Sequence, residues 1–437
     1  MNFQMDYNII ISITFTKVVS TIKSIVKNIV FFGFVMGTAV GIFCWSFMFL
    51  INISSNFLWH ELPQIIKVSN FSITIILCIL GGVIIGLGQK YLGPYPKEME
   101  EVLHEYKVTK TIDYKPLPEY IVCAFLPLIF GGSIGPEAGL FGMIAMFSTF
   151  LSVKIKNSNT ELKEEFIETS TSAVLTAIFQ VPIFSTFSIN KDTIHKAQLI
   201  SRKLLNYITY SCTVLSSFFI IKFLNNLTHK ESFIFKLNQS HISSKDLLAF
   251  IPIIILSILI GLSFNYIGHL IKFICNKTKL SLNPFLAAII GGFIIALLGA
   301  YFPVILFSGE HALRGLVNNY SGMGVSYLLF IAFLKILATK ISINLRWVGG
   351  QIFPTIFASF CIAFAISGIL NIDPTYLVAV ASTGIITVVL KKPVIAVVLI
   401  CFFLPMTYWI FAVISSLLIN FVINKFSKKS DALRELE

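Results

Sequence analysis

The sequence predicts an all-α integral membrane protein, a bundle of tilted and interrupted helices built from two repeats. Three observations lead there. Of 437 residues, 56% are apolar and only 12% charged, with a mean hydropathy of +0.85, a composition too apolar for a soluble core. The apolar content falls in segments of roughly 17–25 residues between short polar loops, the length of a bilayer-crossing helix rather than the ~10-residue alternation of a barrel strand. Finally, two glycine-rich turns open apolar runs at corresponding places: Glu137 lies 108 residues after position 29, and Gln351 lies 105 after position 246. Paired interruptions of this kind mark an internal membrane repeat with a site where the halves meet.

In chain order, residues 1–28 read as an N-terminal interfacial segment with an amphipathic helix, and residues 29–225 as the first repeat. The first span is expected from Ile29 to Asn52, where Gly33, Gly37 and Gly41 have the small-xxx-small spacing of closely crossing helices. A loop carrying Trp59 leads to a second span, Phe71 to Leu92, and the break Gly93-Pro-Tyr-Pro96 follows. The mixed charges of Lys97 to Lys107 predict a solvated interfacial helix. Two short apolar pieces, Pro116 to Phe130 and the run after Glu137, then face each other across glycines as an interrupted helix. A span over Lys203 to Asn225 ends this half, and residues 226–245 are a polar, basic connection.

The second repeat covers residues 246–425, with spans predicted at Asp246 to Ile274, Asn283 to Pro303 and Tyr327 to Ile341. Ser308-Gly-Glu-His311 is a polar break, and Asn344 to Pro354 forms the second glycine turn, with the proline in the first turn of the helix it opens. Residues 426–437 read as a short tail without room for a regulatory domain.

Net charge is +12, from 33 basic and 21 acidic residues. The basic residues are scattered over loops and helix ends with no aromatic-interleaved patch, which argues against nucleic acid as a partner. Lys17, Lys23 and Lys27 before the first span, and Lys425, Lys428 and Lys429 after the last, predict a multi-pass cell-membrane protein with both termini cytoplasmic. The N-terminus lacks the basic region and cleavage site of a signal peptide, so the first segment is expected to remain. Seven cysteines stand singly without a C-x-x-C pair, predicting neither disulfides nor a metal site. No residue pattern calls for a cofactor.

The turn Phe130-Gly-Gly-Ser-Ile-Gly-Pro-Glu-Ala-Gly-Leu140 carries one carboxylate, Glu137, into an uncharged run that continues to Val153. A carboxylate there costs a few kcal/mol unless paired, hydrated or neutralised. Glycines admit a tight turn, and a helix starting near Glu137 aims its free N–H groups and positive dipole end at the same place. That combination is an anion site with an acid at its entrance.

These residues resemble the CLC family of chloride channels and chloride/proton exchangers, with the chain as a divergent prokaryotic-type member. Gly135-Pro-Glu-Ala-Gly139 resembles the G-[KR]-E-G-P signature and Gly350-Gln-Ile-Phe-Pro354 the G-x-F-x-P signature, while Phe179-Gln-Val-Pro182 resembles F-N-A-P. Ser382 to Pro393 and Ser308-Gly-Glu310 resemble further second-half segments. The resemblance implies a CLC-type bundle of two inverted repeats. It also implies a homodimer in which each subunit carries its own path for chloride or a similar small anion, with protons as a possible second substrate. Glu137 would be the gate. Backbone groups at Gly135, Pro136, Ala138, Gly350, Gln351, Ile352, Phe353 and Gly93 would hold the anion.

The departures are as specific. Gly93-Pro-Tyr-Pro96 replaces G-S-G-I-P, so Gly93 stands where the family has its chloride-contacting serine, and Pro136 replaces the basic residue before the glutamate. Where exchangers carry an inner glutamate, this chain reads Asn190-Lys191-Asp192, with Asp192 as the candidate proton relay. The central tyrosine falls at or next to Thr407, which leaves Tyr408 either as that residue or as an ordinary interfacial aromatic. Arg346, Lys391 and Lys392 either attract anions or sit as helix-end cations. The missing inner glutamate tilts the reading toward channel-like conduction over exchange, and the altered serine leaves fluoride and nitrate open beside chloride. A membrane enzyme is the remote alternative, for His195 and His311 share no motif with Glu137 and no hydrolase or nucleotide signature occurs.

Overall fold

A computed structural model describes residues 31, 33–97, 101, 102, 105, 112–154, 200–228, 235–239 and 242–434. The amphipathic segment 10–28, the Phe179-to-Pro182 motif, Lys191, Asp192 and His195 lie outside these residues. Among the described residues the structure is helical, and the β-type pairing recorded is a single bridge between Gly135 and Gly350. Seven helices among the described residues are long and apolar enough to cross a membrane.

In order, the helices are α1 (Gly33–Ile66), α2 (Asn70–Tyr91), α3 (Leu117–Ile129), α4 (Glu137–Lys154) and α5 (Ile200–Leu227). The second half has α6 (Ser244–Leu248), α7 (Phe250–Lys277), α8 (Pro284–Tyr301), α9 (Glu310–Asn319) and α10 (Val325–Asn344). It ends with α11 (Ile352–Leu370), α12 (Pro374–Leu390), α13 (Pro393–Cys401) and α14 (Trp409–Arg434). Contacts divide the chain into two compact units. One comprises Met1–Ser46, Lys110–Tyr114 and Ile144–His229; the other comprises Phe47–Thr109, Lys115–Met143 and Lys230–Glu437.

In the first unit the predicted close crossing is present. A Cβ on Gly37 would fall 2.1 Å from Thr213 O and one on Gly41 3.1 Å from Ser217 Cα, so glycine lets α1 lie directly on the backbone of α5. Trp45 donates from Nε1 to Asn225 Oδ1 at 2.9 Å across the same pair.

The second unit is centred on α2 against α8, again through glycines: a Cβ on Gly292 would meet Cys78 O at 2.5 Å, and one on Gly82 would meet Ala288 O at 2.8 Å. Trp347, fully buried, closes this crossing and donates from Nε1 to Ala288 O at 2.9 Å. The repeat is visible in helix starts: Glu137 follows Asn70 by 67 residues, and Ile352 follows Pro284 by 68.

Two expectations change. Trp59 does not lie in a loop, because α1 continues to Ile66 through a wide π-helical turn at Phe57–Glu61, packing the indole edge-on against Phe307. The last helix runs to Arg434, past the boundary drawn at 425. The cysteines behave as packing residues: all seven are free, and six are buried.

Candidate functional site

The site lies in the second unit, where the ends of α3 and α10 turn back into α4 and α11. A helix that stops inside a membrane leaves carbonyls without partners, and each must be satisfied nearby. At the end of α3 they are: Pro127 O accepts from Gly132 N at 2.9 Å, Ile129 O from Trp59 Nε1 at 2.9 Å, Phe130 O from Cys78 Sγ at 3.6 Å, and Gly131 O from Phe307 N at 3.4 Å. The chain then turns tightly, Ile134 N donating to Gly132 O at 2.8 Å, and reaches Gly135, which exchanges both backbone hydrogen bonds with Gly350, each at 2.7 Å. The two glycine turns, 215 positions apart, are thus joined as one antiparallel bridge.

Glu137 starts α4 beside this bridge and is 3% exposed. Its side chain crosses to α11, where Oε1 accepts from Phe353 N at 2.9 Å. The N–H groups of Ile352 and of Glu137 itself also act on the carboxylate. Two helix N-termini therefore direct N–H groups and positive dipole ends at one carboxylate. The other oxygen, Oε2, is buried and has no hydrogen-bond partner among the described residues. An added Cβ at either side would displace the carboxylate from this position, falling 2.0 Å from Oε2 on Gly135 and 1.8 Å on Gly350.

The sequence-predicted residues divide accordingly. Gly135, Glu137, Gly350, Ile352 and Phe353 come together; Pro136 O accepts from Leu140 N to start α4, and Ala138 is buried within its first turn. Gln351 immediately precedes α11 and is partly exposed. Gly93 packs against the Tyr95 ring, and none of the contacts described for it involves Glu137. That loop is held instead by Tyr95 against Tyr120, ring centroids 5.4 Å apart, and by Tyr120 Oη donating to Lys97 O at 3.4 Å. Tyr408 is not interfacial: it is fully buried in a short 3₁₀ turn, Met406–Tyr408, between α13 and α14. Arg346 is partly exposed in the turn after α10, and Lys391 is an exposed C-cap of α12.

Four residues of the site escaped the sequence reading, and three of them share α10. Ser133 Oγ and Thr339 Oγ1 are 3.2 Å apart, joining the first turn to α10. Lys340 Nζ donates to Gln351 Oε1 at 2.6 Å. Lys335, fully buried, donates to the carbonyls of Ile305, Leu306 and Phe307 at 2.9, 3.1 and 2.8 Å. Three acceptors around one amino group require three N–H donors, so Lys335 is an ammonium. The available signal was two lysines inside an apolar stretch, where a membrane charge points to function.

A membrane bundle whose paired helix breaks set two helix starts against one buried carboxylate has the architecture of a transport protein. The family comparison makes it specific: the model described as voltage gated chloride channel matches residues 81–424, and the chain belongs to that family. Solved structures agree in fold. A slow cyanobacterial Cl−/H+ antiporter superposes with a TM-score of 0.77 at 16% identity, covering 90% of this chain and 93% of that one. A CLC-type fluoride/proton antiporter gives 0.72 at 16% identity over 91% and 95%. A eukaryotic CLC transporter gives 0.66 at 14% identity over 90% and 71%. No curated protein sequence matches the chain.

Proposed function

We propose that this CLC-type protein carries chloride or a similar small anion through the point now occupied by the Glu137 carboxylate, with Glu137 as the gate. One observation carries the reading: a buried carboxylate rests on the N–H groups of two helix starts, with one oxygen unpaired among the described residues. Backbone dipoles attract an anion without the full cation that would trap it. The ionised side chain is a tethered competitor; protonation or an arriving anion releases it. Gly135, Gly350, Ile352 and Phe353 line the vacated position, and transport rather than catalysis is the activity.

A second reading is proton-coupled exchange. Its support is the fold likeness to a Cl−/H+ and a fluoride/proton antiporter, together with a gate that is itself an acid. Asp192 would supply the inner relay and Tyr408, buried at the break between α13 and α14, the central aromatic. Both termini are assigned to the cytoplasm from their flanking lysines, and a homodimer with one path per subunit is assigned by family resemblance.

Chloride efflux and proton uptake, recorded together from liposomes holding a chloride gradient, test both readings with Glu137→Ala alongside. Gradient-driven proton uptake that the variant abolishes establishes exchange; chloride flux without protons establishes a Glu137-gated channel. Absence of anion flux under every condition refutes the transport reading.

A further inference from the structure

The connection between α2 and α3 brings together acceptors without the donors that would satisfy them. α2 is capped by Leu92 N donating to Gly88 O, so the carbonyls after Gly88 face the break as the negative end of the helix. The break itself adds few N–H groups: Pro94 and Pro96 have none, and Tyr95 N donates to Gly93 O at 2.8 Å. Gln89, buried in the last turn of α2, donates from Nε2 to Tyr95 O. A carbonyl only accepts, so this bond fixes the amide and leaves Oε1 as the other end. Oε1 is buried and has no hydrogen-bond partner among the described residues.

A carboxylate stands level with this helix end. A Cβ added to Gly81 would fall 2.5 Å from Phe130 Cβ, and one added to Gly88 would fall 3.7 Å from Cys123 Sγ. Seven residues forward along α2 thus match seven back along α3, and the two helices run antiparallel. Glu119, four residues before Cys123, is therefore opposite Leu92, four residues after Gly88. The next residue agrees with this register, the Tyr120 ring lying 5.4 Å from that of Tyr95. Glu119 is partly exposed, yet its Oε2 is buried with no hydrogen-bond partner among the described residues, and the ion pair recorded among them joins Lys97 to Glu105 instead. Its place in the first turn of α3 favours the charge, whereas the end of α2 opposes it.

We propose that Glu119, Gln89 and the terminal carbonyls of α2 bind a small monovalent cation, of the size of sodium or potassium. Every contributing group is an oxygen acceptor, which suits a hard cation, and the single carboxylate balances a single positive charge. Unwound carbonyls and helix C-terminal ends are the groups that hold such ions inside membrane bundles. One ion satisfies both orphaned oxygens and ties the end of α2 to the start of α3 beside the break from Gly93 to Lys97. The chemistry is opposite to that at Glu137, where helix N-termini converge on a negative group.

Thermal unfolding of the purified full chain in detergent, in sodium, potassium or N-methylglucamine chloride at equal pH and ionic strength, tests the site before any variant is made. A cation that binds the folded state alone raises Tm as its concentration rises, and an increase of about 2 °C or more over the bulky organic cation is expected in sodium or potassium. E119Q keeps an oxygen and loses the charge, and should raise the half-maximal cation concentration about tenfold or more; Q89M, which loses the oxygen, should raise it about threefold or more. If either variant fails to fold, the other is compared with wild type. Equal wild-type Tm in all three salts overturns the proposal. So does a salt-dependent increase that persists unchanged in E119Q and Q89M, which marks a general salt effect. A Tm that instead rises on acidification by the same amount in every salt assigns the orphaned oxygens to a proton and overturns the cation site.

Discussion

Gly350→Ala tests directly whether the Glu137 carboxylate holds an anion's place. A Cβ at 350 would stand 1.8 Å from Oε2 and 2.5 Å from Cδ, where ordinary contact begins at 3.4 Å, so the oxygen must retreat by about 1.6 Å. The backbone offers no objection, because Gly350 is not among the glycines with positive φ and its N–H remains available for the bridge to Gly135. The displaced carboxylate loses its hydrogen bond from Phe353 N, a charge-assisted contact of about 1.5–3 kcal/mol, or roughly a 10- to 150-fold change in occupancy. Chloride efflux from liposomes should therefore lose most of its dependence on pH, while the methyl also narrows the anion's own position and keeps the rate below that of Glu137→Ala. The double variant completes the argument: without the Glu137 side chain the added methyl meets only the anion, so G350A should lower flux there and leave no pH dependence to remove. Wild-type pH dependence in G350A would refute the reasoning. So would an equal change in both backgrounds, which would place the effect in the turn's backbone.

Three further outcomes follow from the same geometry. Glu137 competes as an anion only when ionised, so wild-type anion flux should rise as pH falls, whereas Glu137→Gln, neutral throughout, should give a flat profile in the same liposome assay. Trp347→Ala opens a void where α2, α8 and the first glycine turn meet and should cost about 3–5 kcal/mol, while Trp347→Phe, losing mainly the bond to Ala288 O, should cost about 1 kcal/mol, both read by thermal unfolding in detergent. Lys335→Met leaves the carbonyls of residues 305–307 without their donor and should destabilise by about 3 kcal/mol or more, against under 1 kcal/mol if the ammonium is dispensable.

Much of this architecture was legible because its causes are local. Helix-length apolar runs, glycines at four-residue spacing and a carboxylate beside a glycine turn each carry their reason in the residues themselves. The repeat was legible in outline, and helix starts give it more closely than half boundaries do, because a boundary drawn in a polar stretch has no physical marker whereas a helix start does. Trp59 shows the limit. Its neighbours Asn56, His60 and Glu61 read as a loop, yet the helix continues, since the indole packs against Phe307 and donates to Ile129 O. Tyr408 shows it again: a lone aromatic at a span's edge has the same local signature whether it faces the interface or, as here, the interior.

The residues that remained hidden are those whose partners exist only after the chain is broken and brought together. Lys335 and Lys340 fall inside the span predicted at Tyr327 to Ile341 and lie within α10, but their partners stand on segments far from them or beyond the break. The reason is that helix interruptions create acceptors as well as donors. At Glu137 the break leaves N–H groups, and these face the carboxylate. At residues 305–307 it leaves carbonyl oxygens, which would repel an anion and are costly to bury unpaired. Lys335 covers all three of those oxygens with one ammonium. The charge thus belongs to the break and not to the span: the lysine removes the negative ends of the interrupted backbone, while the positive ends stay directed at Glu137.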